Sequence, residues 1–432
     1  MSSKKKPTAT VDEARPELEP KLRLPEFRGT TLRSVRLGDV TEEGRRRNGK
    51  KHSVASVMGV TKADGIVPME ARLIAADIER YKLVEHDWFA YNPMRLNIGS
   101  IARWKGESEI LVSPDYVVFK CITDDESGID PRYVDQFRQT KAWEDFVTEG
   151  GDGGVRVRIY YKDIARLQLA LPSLPEQQKI ADCLSSVDEF IAAQARKVDA
   201  LKTHKKGLMQ QLFPREGETQ PRFRLPEFQN AGEWEMKRVD EWGDVVAGKA
   251  LAVNAPGPLR PYLRTKNVLD GEIDLSDLLT MPMTDSEFSR FEILYGDVLL
   301  NEGQSLGLVG RASIYCGELG QRCAIQNQLL RFRCYPSTCP EFAAQAFRQC
   351  QKDGTFASIS TQTTSVAHLG SSRFSALELT WPTSLAEQQR IAMCLSGLDA
   401  LINVETQRLK VLKAHKKGLM QQLFPSPEVV EA

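Results

Sequence analysis

The chain has 432 residues, 41% of them hydrophobic and 27% charged, which is enough for two or three domains with their own cores. Lysine plus arginine and aspartate plus glutamate each number 58, so the net charge is zero, which argues against a protein that holds nucleic acid by bulk charge alone. No run of about 18 apolar residues occurs, which excludes a membrane-spanning helix.

The first 19 residues, MSSKKKPTATVDEARPELE, predict a disordered N-terminal lead because Ser, Lys, Pro and Glu dominate them. No apolar stretch follows their basic start, so they do not resemble a secretory signal. Without such a signal, the eight cysteines are expected to be reduced thiols in a cytoplasm.

Two segments of the chain occur twice. The shorter reads PKLRLPEF at residues 20–27 and PRFRLPEF at 221–228. The longer covers 173–214 and aligns without a gap to 384–425, and both copies end in HKKGLMQQLFP. This pattern indicates a tandem duplication that kept its connecting parts alike, whereas the blocks between them diverged.

The two variable blocks, roughly residues 28–171 and 229–382, mix strand-type with helix-type sequence. Runs rich in β-branched and aromatic residues predict strands at 110–122, 155–161, 295–316 and 326–335. Helical patterns cover 131–147 and 340–354. We therefore expect each block to fold as a compact α+β domain.

The first block carries the strongest basic cluster, RRRNGKK at residues 45–51, which is either a solvated loop or a phosphate-binding one. Cationic side chains neutralise phosphates, whereas Arg can read guanine and Asn or Gln can read adenine. By residue type and turn location, the DNA-binding candidates of this block are Arg45, Arg46, Arg47, Lys50, Lys51, Asn92, Arg95, Arg156 and Arg158.

The second block offers candidates of the same chemistry. Loops 148–158 and 360–370 occupy equivalent places before the repeated helices and differ in sequence, as loops that read different DNA sequences would; ordinary surface turns are the alternative. The candidates here are Arg264, Lys266, Asn267, Asn301, Gln304, Arg311, Gln326, Asn327, Gln362, Thr363, Thr364 and His368.

Each long repeat predicts one helix with apolar residues at alternating steps of three and four, which is a heptad seam. Polar residues interrupt both seams at the same places, first at Gln194 and Glu405 and then at Lys205 and Lys416. The matching seam positions are Ile180, Leu184, Val187, Ile191, Val198, Leu201, Leu208 and Leu212 in the first helix, and Ile391, Leu395, Leu398, Ile402, Leu409, Leu412, Leu419 and Leu423 in the second.

Two such helices in one chain most simply pair with each other in an antiparallel coiled coil. The fold predicted is therefore α+β, with two globular domains separated by a rod of about 55 Å at about 1.5 Å per residue. A pseudo-twofold axis would relate the two halves, and the rod would act as a molecular ruler.

Sequence signatures of catalysis are missing. There is no P-loop, and the Asn-Pro of YNPMR at 91–95 lacks the second proline and aromatic residue of a DNA amino-methyltransferase. Five cysteines, including Cys316 and Cys350, fall close together but form no C-x-x-C pair, which favours buried thiols over zinc. We predict neither catalytic nor metal-binding residues.

The openings of the long repeats, SLPEQQKIADCLSSVD and SLAEQQRIAMCLSGLD, each precede a helix that ends in HKKGLMQQLFP. With YNPMRLNIGSIA and GDVLLNEGQSLGLVGRASIY in the blocks, the chain from about residue 20 to 425 resembles the specificity (S) subunits of type I restriction–modification systems. One departure is Ala386, which stands where the first repeat has Pro175.

The resemblance implies a lead at residues 1–19, target recognition domains at 20–171 and 215–382, spacer helices at 172–214 and 383–425, and a tail at 426–432. Each recognition domain would read half of a bipartite, asymmetric site in double-stranded DNA, inside a bacterial or archaeal cytoplasm. The helices would set the gap and dock two methyltransferase (M) subunits, with restriction (R) subunits completing the complex.

No cofactor is expected in this chain, because S-adenosylmethionine, ATP and Mg²⁺ would be bound by the M and R subunits. The residues expected to contact partner subunits lie at the starts and ends of the repeated helices. They are Glu176, Gln177, Gln178, His204, Lys205, Lys206, Glu387, Gln388, Gln389, His415, Lys416 and Lys417.

Four alternatives stay open at this point. The chain could serve a type IIB or other defence complex with a fused methylase–nuclease partner. It could be a free-standing DNA-binding regulator, although the neutral charge speaks against that. It could be a nuclease with an unrecognised site, or a coiled-coil adaptor, which would leave two different, similarly mounted domains unexplained.

Overall fold

The computed structural model describes residues 19–123, 127–149, 158–215, 217–250, 254–362 and 365–425. The chain divides into two compact units. Unit 1 holds the described residues up to 194 and from 408 onwards, and unit 2 holds residues 195–407. Each unit therefore contains one variable block together with part of both long helices.

Unit 1 consists of short strands and helices ahead of the first long helix, which continues into unit 2. The strands are β1 (Arg33–Arg36), β2 (Thr41–Glu43), β3 (Met58–Thr61), β4 (Gly65–Pro68), β5 (Lys82–Val84), β6 (Phe89–Tyr91), β7 (Ile101–Arg103), β8 (Ile110–Val112), β9 (Val117–Cys121) and β10 (Gln168–Leu171). The helices are α1 (Pro131–Phe137), α2 (Lys141–Glu149), α3 (Tyr161–Ile164) and α4 (Leu174–Leu212).

The central sheet of unit 1 is antiparallel with strand order β2-β9-β6-β7. Phe89 and Phe119 face each other across β6 and β9, and their rings stack with centroids 4.8 Å apart. A separate pair, β1 with β10, leads directly into α4. Tyr133 and Phe424 bring α1 and the second long helix into the same core.

Unit 2 contains the remaining elements and repeats this plan. Its strands are β11 (Glu235–Arg238), β12 (Gly243–Ala247), β13 (Leu259–Leu263), β14 (Leu279–Pro282), β15 (Val298–Asn301), β16 (Gly303–Gln304), β17 (Ala312–Ile314), β18 (Ala324–Ile325), β19 (Leu329–Cys334), β20 (Thr361–Gln362), β21 (Ala367–His368) and β22 (Glu378–Trp381). Its helices are α5 (Val239–Trp242), α6 (Asp285–Phe291), α7 (Pro340–Lys352), α8 (Thr355–Ile359), α9 (Ser371–Ala376) and α10 (Leu385–Leu423), the last of which continues into unit 1.

The two variable blocks share one core topology despite their dissimilar sequences. The central sheet of unit 2 has the order β12-β19-β15-β17, which matches β2-β9-β6-β7 strand for strand, and β11 pairs with β22 as β1 pairs with β10. The additions differ, because unit 2 adds the three-stranded sheets β14-β13-β18 and β16-β21-β20, whereas unit 1 adds the two-stranded sheets β3-β4 and β5-β8. The two blocks therefore differ mainly in the strands that are added to their common core sheet.

Within each unit, α4 and α10 pack in opposite directions. Ile180 and Leu184, near the start of α4, share the core of unit 1 with Leu423, near the end of α10. In unit 2 the roles exchange, and Leu212 shares a core with Ile391. Every predicted seam position is buried or half-buried, so the predicted antiparallel coiled-coil packing and the α+β fold class are confirmed.

The short repeat is bonded to both long helices at their ends and so connects them. In unit 1, Arg23 binds the buried carboxylate of Glu176, at the start of α4, through two 2.9 Å hydrogen bonds, while the Leu22 amide donates to the Gln422 carbonyl of α10. In unit 2, Arg224 binds Glu387 through two 2.7 Å bonds, and the Phe223 amide donates to the Gln211 carbonyl of α4. Both copies of the duplicated segment therefore keep the same ion pair to one long helix and the same backbone hydrogen bond to the other.

Arg224→Met should lower the free energy of unfolding by about 3–5 kcal/mol, the usual cost of removing one partner of a buried ion pair. Glu387, 1% exposed, would lose both guanidinium bonds and keep the hydrogen bond from the Trp234 indole at 3.1 Å. Urea unfolding of the full chain followed by circular dichroism measures this loss. Arg222→Met is the matched control, because its solvent-exposed pair with Glu218 should contribute little to stability. Equal losses in both variants would contradict the role of the Arg224–Glu387 pair.

Three sequence predictions differ from the structure in detail. The strand predicted at 155–161 is wrong in its described part, because Asp163 accepts from the Tyr160 amide and starts α3 instead. The helix predicted over 131–147 is two helices, since the Thr140 hydroxyl accepts from the Trp143 amide at 3.4 Å and caps the start of α2 at Lys141. The loop predicted at 360–370 contains the strands β20 and β21.

Among the described residues, none of the helices combines the length and hydropathy that crossing a membrane requires.

Candidate nucleic-acid interface

The basic run of unit 1 lies on the surface next to carboxylates that neutralise much of its charge. Arg45 pairs with Glu43 at 2.9 Å, and Arg46 pairs with Glu85. Lys50 lies 3.6 Å from Glu79, and Lys51 lies 2.5 Å from Glu109, whose pKa is lowered chiefly by the hydrogen bonds from Lys51 and then His52. Arg47 donates to the Arg80 carbonyl at 2.9 Å.

Because these ion pairs are exposed, the cations of the run can exchange their carboxylate partners for other anions. The run is therefore not a fixed cationic site. Surface ion pairs contribute about 0–1 kcal/mol each, so a phosphate could replace a carboxylate partner at little cost. Beside Arg45 and Arg46 lies a broad depression of about 890 Å³ that Trp88, Lys120 and Tyr161 also line. Its walls combine three glutamates, Glu42, Glu43 and Glu85, with aromatic and cationic side chains, and the latter are of the kind that contact nucleic acid.

A second group of candidates lies on the loop after β6. Asn92 accepts from the Met94 amide at 3.0 Å, and Arg95 is exposed. The Ile159 amide donates to the Pro93 carbonyl at 3.0 Å, which brings exposed Arg158 to the same loop. The structure thus brings Arg158 to the loop of Asn92 and Arg95, which lie more than 60 positions earlier in the chain.

In unit 2 the sheet β16-β21-β20 gathers the most coherent polar cluster. Gln304 and Gln362 both stand opposite Ala367, one on each side of β21, and His368 is the next residue of that strand. Asn327 and His368 line a depression of about 450 Å³ together with Gln328, Ser371, Ser372 and Arg373. Amide, hydroxyl, imidazole and guanidinium groups supply the donors and acceptors that read base edges.

Half-buried and exposed hydrogen bonds hold this cluster in place. Glu302 accepts from the Gly370 amide at 3.3 Å and lies 3.1 Å from Nδ1 of His368, which fixes the imidazole. Arg373 donates to the His368 carbonyl at 2.8 Å and to the Thr361 hydroxyl at 3.0 Å, which joins β20 to β21. A Cβ at Gly303 would collide with the Gln328 amide, so glycine permits this close approach.

Other candidates of unit 2 serve the fold. Asn267 and Asn301 are 1% and 0% exposed, and they donate to the carbonyls of Asp274 and Val268. The structure corrects the expectation for these two, because neither side chain is presented to a ligand. Arg264 and Lys266 both pair with Asp277. Arg311 and Gln326 are half-buried, and Arg156, Thr363 and Thr364 lie outside the described residues.

The residues expected to contact partner subunits divide into two sets of six. One set is buried and bonded within the chain: Gln177 accepts from the Asp130 amide at 2.8 Å, and Gln388 accepts from the Cys339 amide at 2.7 Å. Glu176, Lys205, Glu387 and Lys416 join them, so partner contact through these six side chains is corrected to an internal role. The exposed set, for which partner contact stays a prediction, is Gln178, His204, Lys206, Gln389, His415 and Lys417.

The cysteines of unit 2 are mostly packing residues. Burial raises the pKa of the Cys323 thiol to about 12 and that of Cys339 to about 11, so both are protonated at neutral pH. Over the described part of the chain, no group of three His, Cys, Asp or Glu side chains is arranged to hold a metal ion.

Sequence reasoning missed the residues that support the site. Glu302 and Gln328 were not candidates, because only the folded sheet brings them to His368, and Arg373, which lies five residues after His368 and donates to its carbonyl, was also missed. Asp188 and Asp399, the partners of the seam lysines, stand at equivalent places in the two long repeats. The equivalent positions of the two aspartates in the aligned repeats were the sequence signal from which they could have been identified.

Comparisons with known proteins converge on one class. The sequence profile of the type I restriction modification DNA specificity domain matches residues 146–203. The chain is 24% identical over 201 residues to a Methanocaldococcus jannaschii protein named as a specificity subunit of the type I restriction enzyme MjaX. That match covers 44% of this chain and 46% of the relative, so the chain spans about half the length of the relative it matches.

Two solved structures share the fold over almost the whole chain. The type I restriction-modification S subunit from M. genitalium matches with a TM-score of 0.58 at 12% identity, over 95% of this chain and 100% of that one. A chain from a structure on complex assembly and conformational transition of the type I R-M system matches with a TM-score of 0.53 at 16% identity, over 92% and 98%. The resemblance to type I specificity subunits is confirmed.

Proposed function

We propose that this chain, which resembles type I specificity subunits and shares their fold, is the DNA sequence-specificity subunit of a type I restriction–modification complex. Each variable block reads one half of a bipartite site, and the long helices set the gap between the halves. The observation that carries the proposal is the pair of units with one core topology, one mode of attachment to the helices and different polar surfaces.

The different surfaces favour an asymmetric site. Unit 1 offers guanidinium and ammonium groups around Trp88, whereas unit 2 offers amides, hydroxyls and His368. Cations supply phosphate neutralisation and guanine contacts, whereas Asn and Gln pair with adenine edges. Two unlike half-sites follow from two unlike sets of donors and acceptors.

The long helices are proposed to dock two M subunits. Three exposed apolar side chains of α10, Met393, Leu401 and Val404, fall on one face of the helix within unit 2, and Phe190 of α4 is 67% exposed in unit 1. Large exposed apolar side chains on a helix are typical of a protein interface. Bound partners would also share the phosphate contacts that a chain of zero net charge supplies poorly.

The chain itself is proposed to be non-catalytic. S-adenosylmethionine would be bound by the M subunits, and ATP with Mg²⁺ by the R subunits. The complex would then combine DNA methylation with restriction in defence against foreign DNA, with specificity supplied by this chain.

Sequencing of modified adenines tests the proposal. The chain is expressed with M subunits from its own source organism in a host without other adenine methylation. We expect one motif with two different half-sites separated by a fixed gap. M subunits alone serve as the control and should leave no motif, whereas a continuous motif, or an unchanged pattern without this chain, would contradict the assignment.

A further inference from the structure

Each unit buries one lysine in the apolar seam between the long helices. Lys416 is 8% exposed in unit 1 and Lys205 is 5% exposed in unit 2. They occupy the same position of the HKKGLMQQLFP repeat. The next lysine of each copy, Lys206 or Lys417, is exposed, so burial selects one of two adjacent cations.

In unit 1 the buried lysine connects three helices. Lys416 of α10 lies 2.7 Å from Asp188 of α4 and donates to Gln139, just beyond α1, at 3.0 Å. Gln136 of α1 donates to the same aspartate at 2.9 Å. The helix of the variable block is therefore bonded to both long helices at one point.

Unit 2 repeats the arrangement with the long helices exchanged. Lys205 of α4 lies 2.6 Å from Asp399 of α10 and donates to Gln345 of α7 at 3.1 Å. Gln345 donates back to Asp399 at 2.9 Å, as Gln136 does to Asp188. Arg348, where unit 1 has Gln139, adds a second cation at 2.8 Å from Asp399.

Stability alone does not explain a lysine in these seams. Desolvation, followed by the neighbouring Arg348, lowers the pKa of Lys205 to about 8, so the buried ammonium is disfavoured even beside Asp399. In both pairs the lysine is buried and the aspartate is half-buried, and replacing a buried ion pair by well-packed apolar residues is often neutral or stabilising. Polar seam residues are known instead to select helix register and partner.

We propose that the pairs Lys416–Asp188 and Lys205–Asp399 are positioning residues that lock each variable block onto the long helices and thereby hold the gap between the two half-sites to one length. Gln136 of α1 and Gln345 of α7 connect these lysine–aspartate pairs to the variable blocks through hydrogen bonds. This inference rests on the proposed function and assigns these residues to gap fidelity, not to base identity.

The decisive variant replaces the pair in unit 1 with apolar residues, as Lys416→Met with Asp188→Leu, in the full chain with its M subunits. Modified adenines are sequenced on a DNA library in which the two half-sites are separated by different gaps. We expect unchanged half-site bases, but methylation at gaps one base pair longer or shorter should rise about tenfold relative to the native gap, which corresponds to a loss of about 1.4 kcal/mol in discrimination.

Matched variants separate positioning from a general structural role. Lys413→Met removes an exposed cation from the same helix, three residues before Lys416, and should leave the gap profile unchanged. The exchange Lys416→Asp with Asp188→Lys restores a pair between the same helices and should recover part of the stringency, which a purely packing role would not predict. An apolar variant with native gap stringency would overturn the inference.

A milder variant tests the inference if the chain with the apolar pair fails to assemble with its M subunits. Gln136→Leu with Gln139→Leu leaves the lysine–aspartate pair intact but removes the bonds from α1, and it should widen the gap profile in the same way. An unchanged profile in this variant would also overturn the inference. If the unaltered chain itself gave no bipartite motif, the proposed function would fail instead, so the two failures are distinguishable.

Discussion

Exchanging residues 229–382 for the corresponding block of another chain of this architecture should change one half of the methylated motif and leave the other half and the gap as they were. The recognition surface around His368 lies wholly within the exchanged segment. Arg224, Glu387, Lys205 and Asp399, which attach the block to the helices, all lie outside it.

The size of the effect follows from DNA-binding energetics. Specific sites bind typically 10³–10⁷-fold tighter than non-specific DNA, so methylation of the old half-site should fall by at least about 10³-fold. The donor block must supply a glutamine at the place of Gln345 and an indole at that of Trp234, since both bond to retained residues.

Methylome sequencing of the exchanged chain reads both halves at once. The reciprocal exchange of residues 28–171 is the control and should alter only the other half. Altered readout of both halves from one exchange would show that the blocks do not read independently.

Inserting seven helical residues into both long helices, after Gln194 and after Gln407, should lengthen the gap or abolish assembly. These points coincide with the boundary between the compact units, so the contacts within each unit are kept. Seven residues add about 10.5 Å to each helix, which corresponds to about three base pairs of DNA.

The same gap library measures the outcome, and two controls sharpen it. The insertion in α4 alone shifts one seam against the other and should prevent assembly with the M subunits. Seven Gly/Ser residues at both points interrupt the helices and should lose the defined gap. An active complex that carries the helical insertion and keeps the native gap would refute the ruler.

The repeated helices were predictable because a heptad pattern is recognised from residues close together in the sequence, and here it occurs in two matching copies. Their interruptions at Lys205 and Lys416 were also visible, but their chemistry was not, because Gln345 and Gln139 reach those lysines only after the blocks fold back onto the helices. The assignment of buried Glu176 and Glu387 to partner contact failed for the same reason, since the arginines that bind them are more than 150 positions away.

The candidate interface was predictable by residue type more than by place. Arg45 and Lys51 were expected on the surface and are found there, but Glu109, the acidic neighbour of Lys51, lies 58 positions away in the chain. Asn301 had the chemistry of a base reader, yet strand β15 turns it into the core. Side-chain type identifies what a residue can bind, whereas the sheet decides whether it is presented.

Unit 1 is discontinuous, and this has a consequence for synthesis on the ribosome. Its core includes Met420, Leu423 and Phe424, which are translated after the whole of unit 2. Although domains usually fold in the order in which they emerge, here the later-made unit is the first whose residues are all available. A nascent or prematurely stopped polypeptide would expose the apolar surface that these three residues cover, which marks it for chaperones and proteases before it can join a complex.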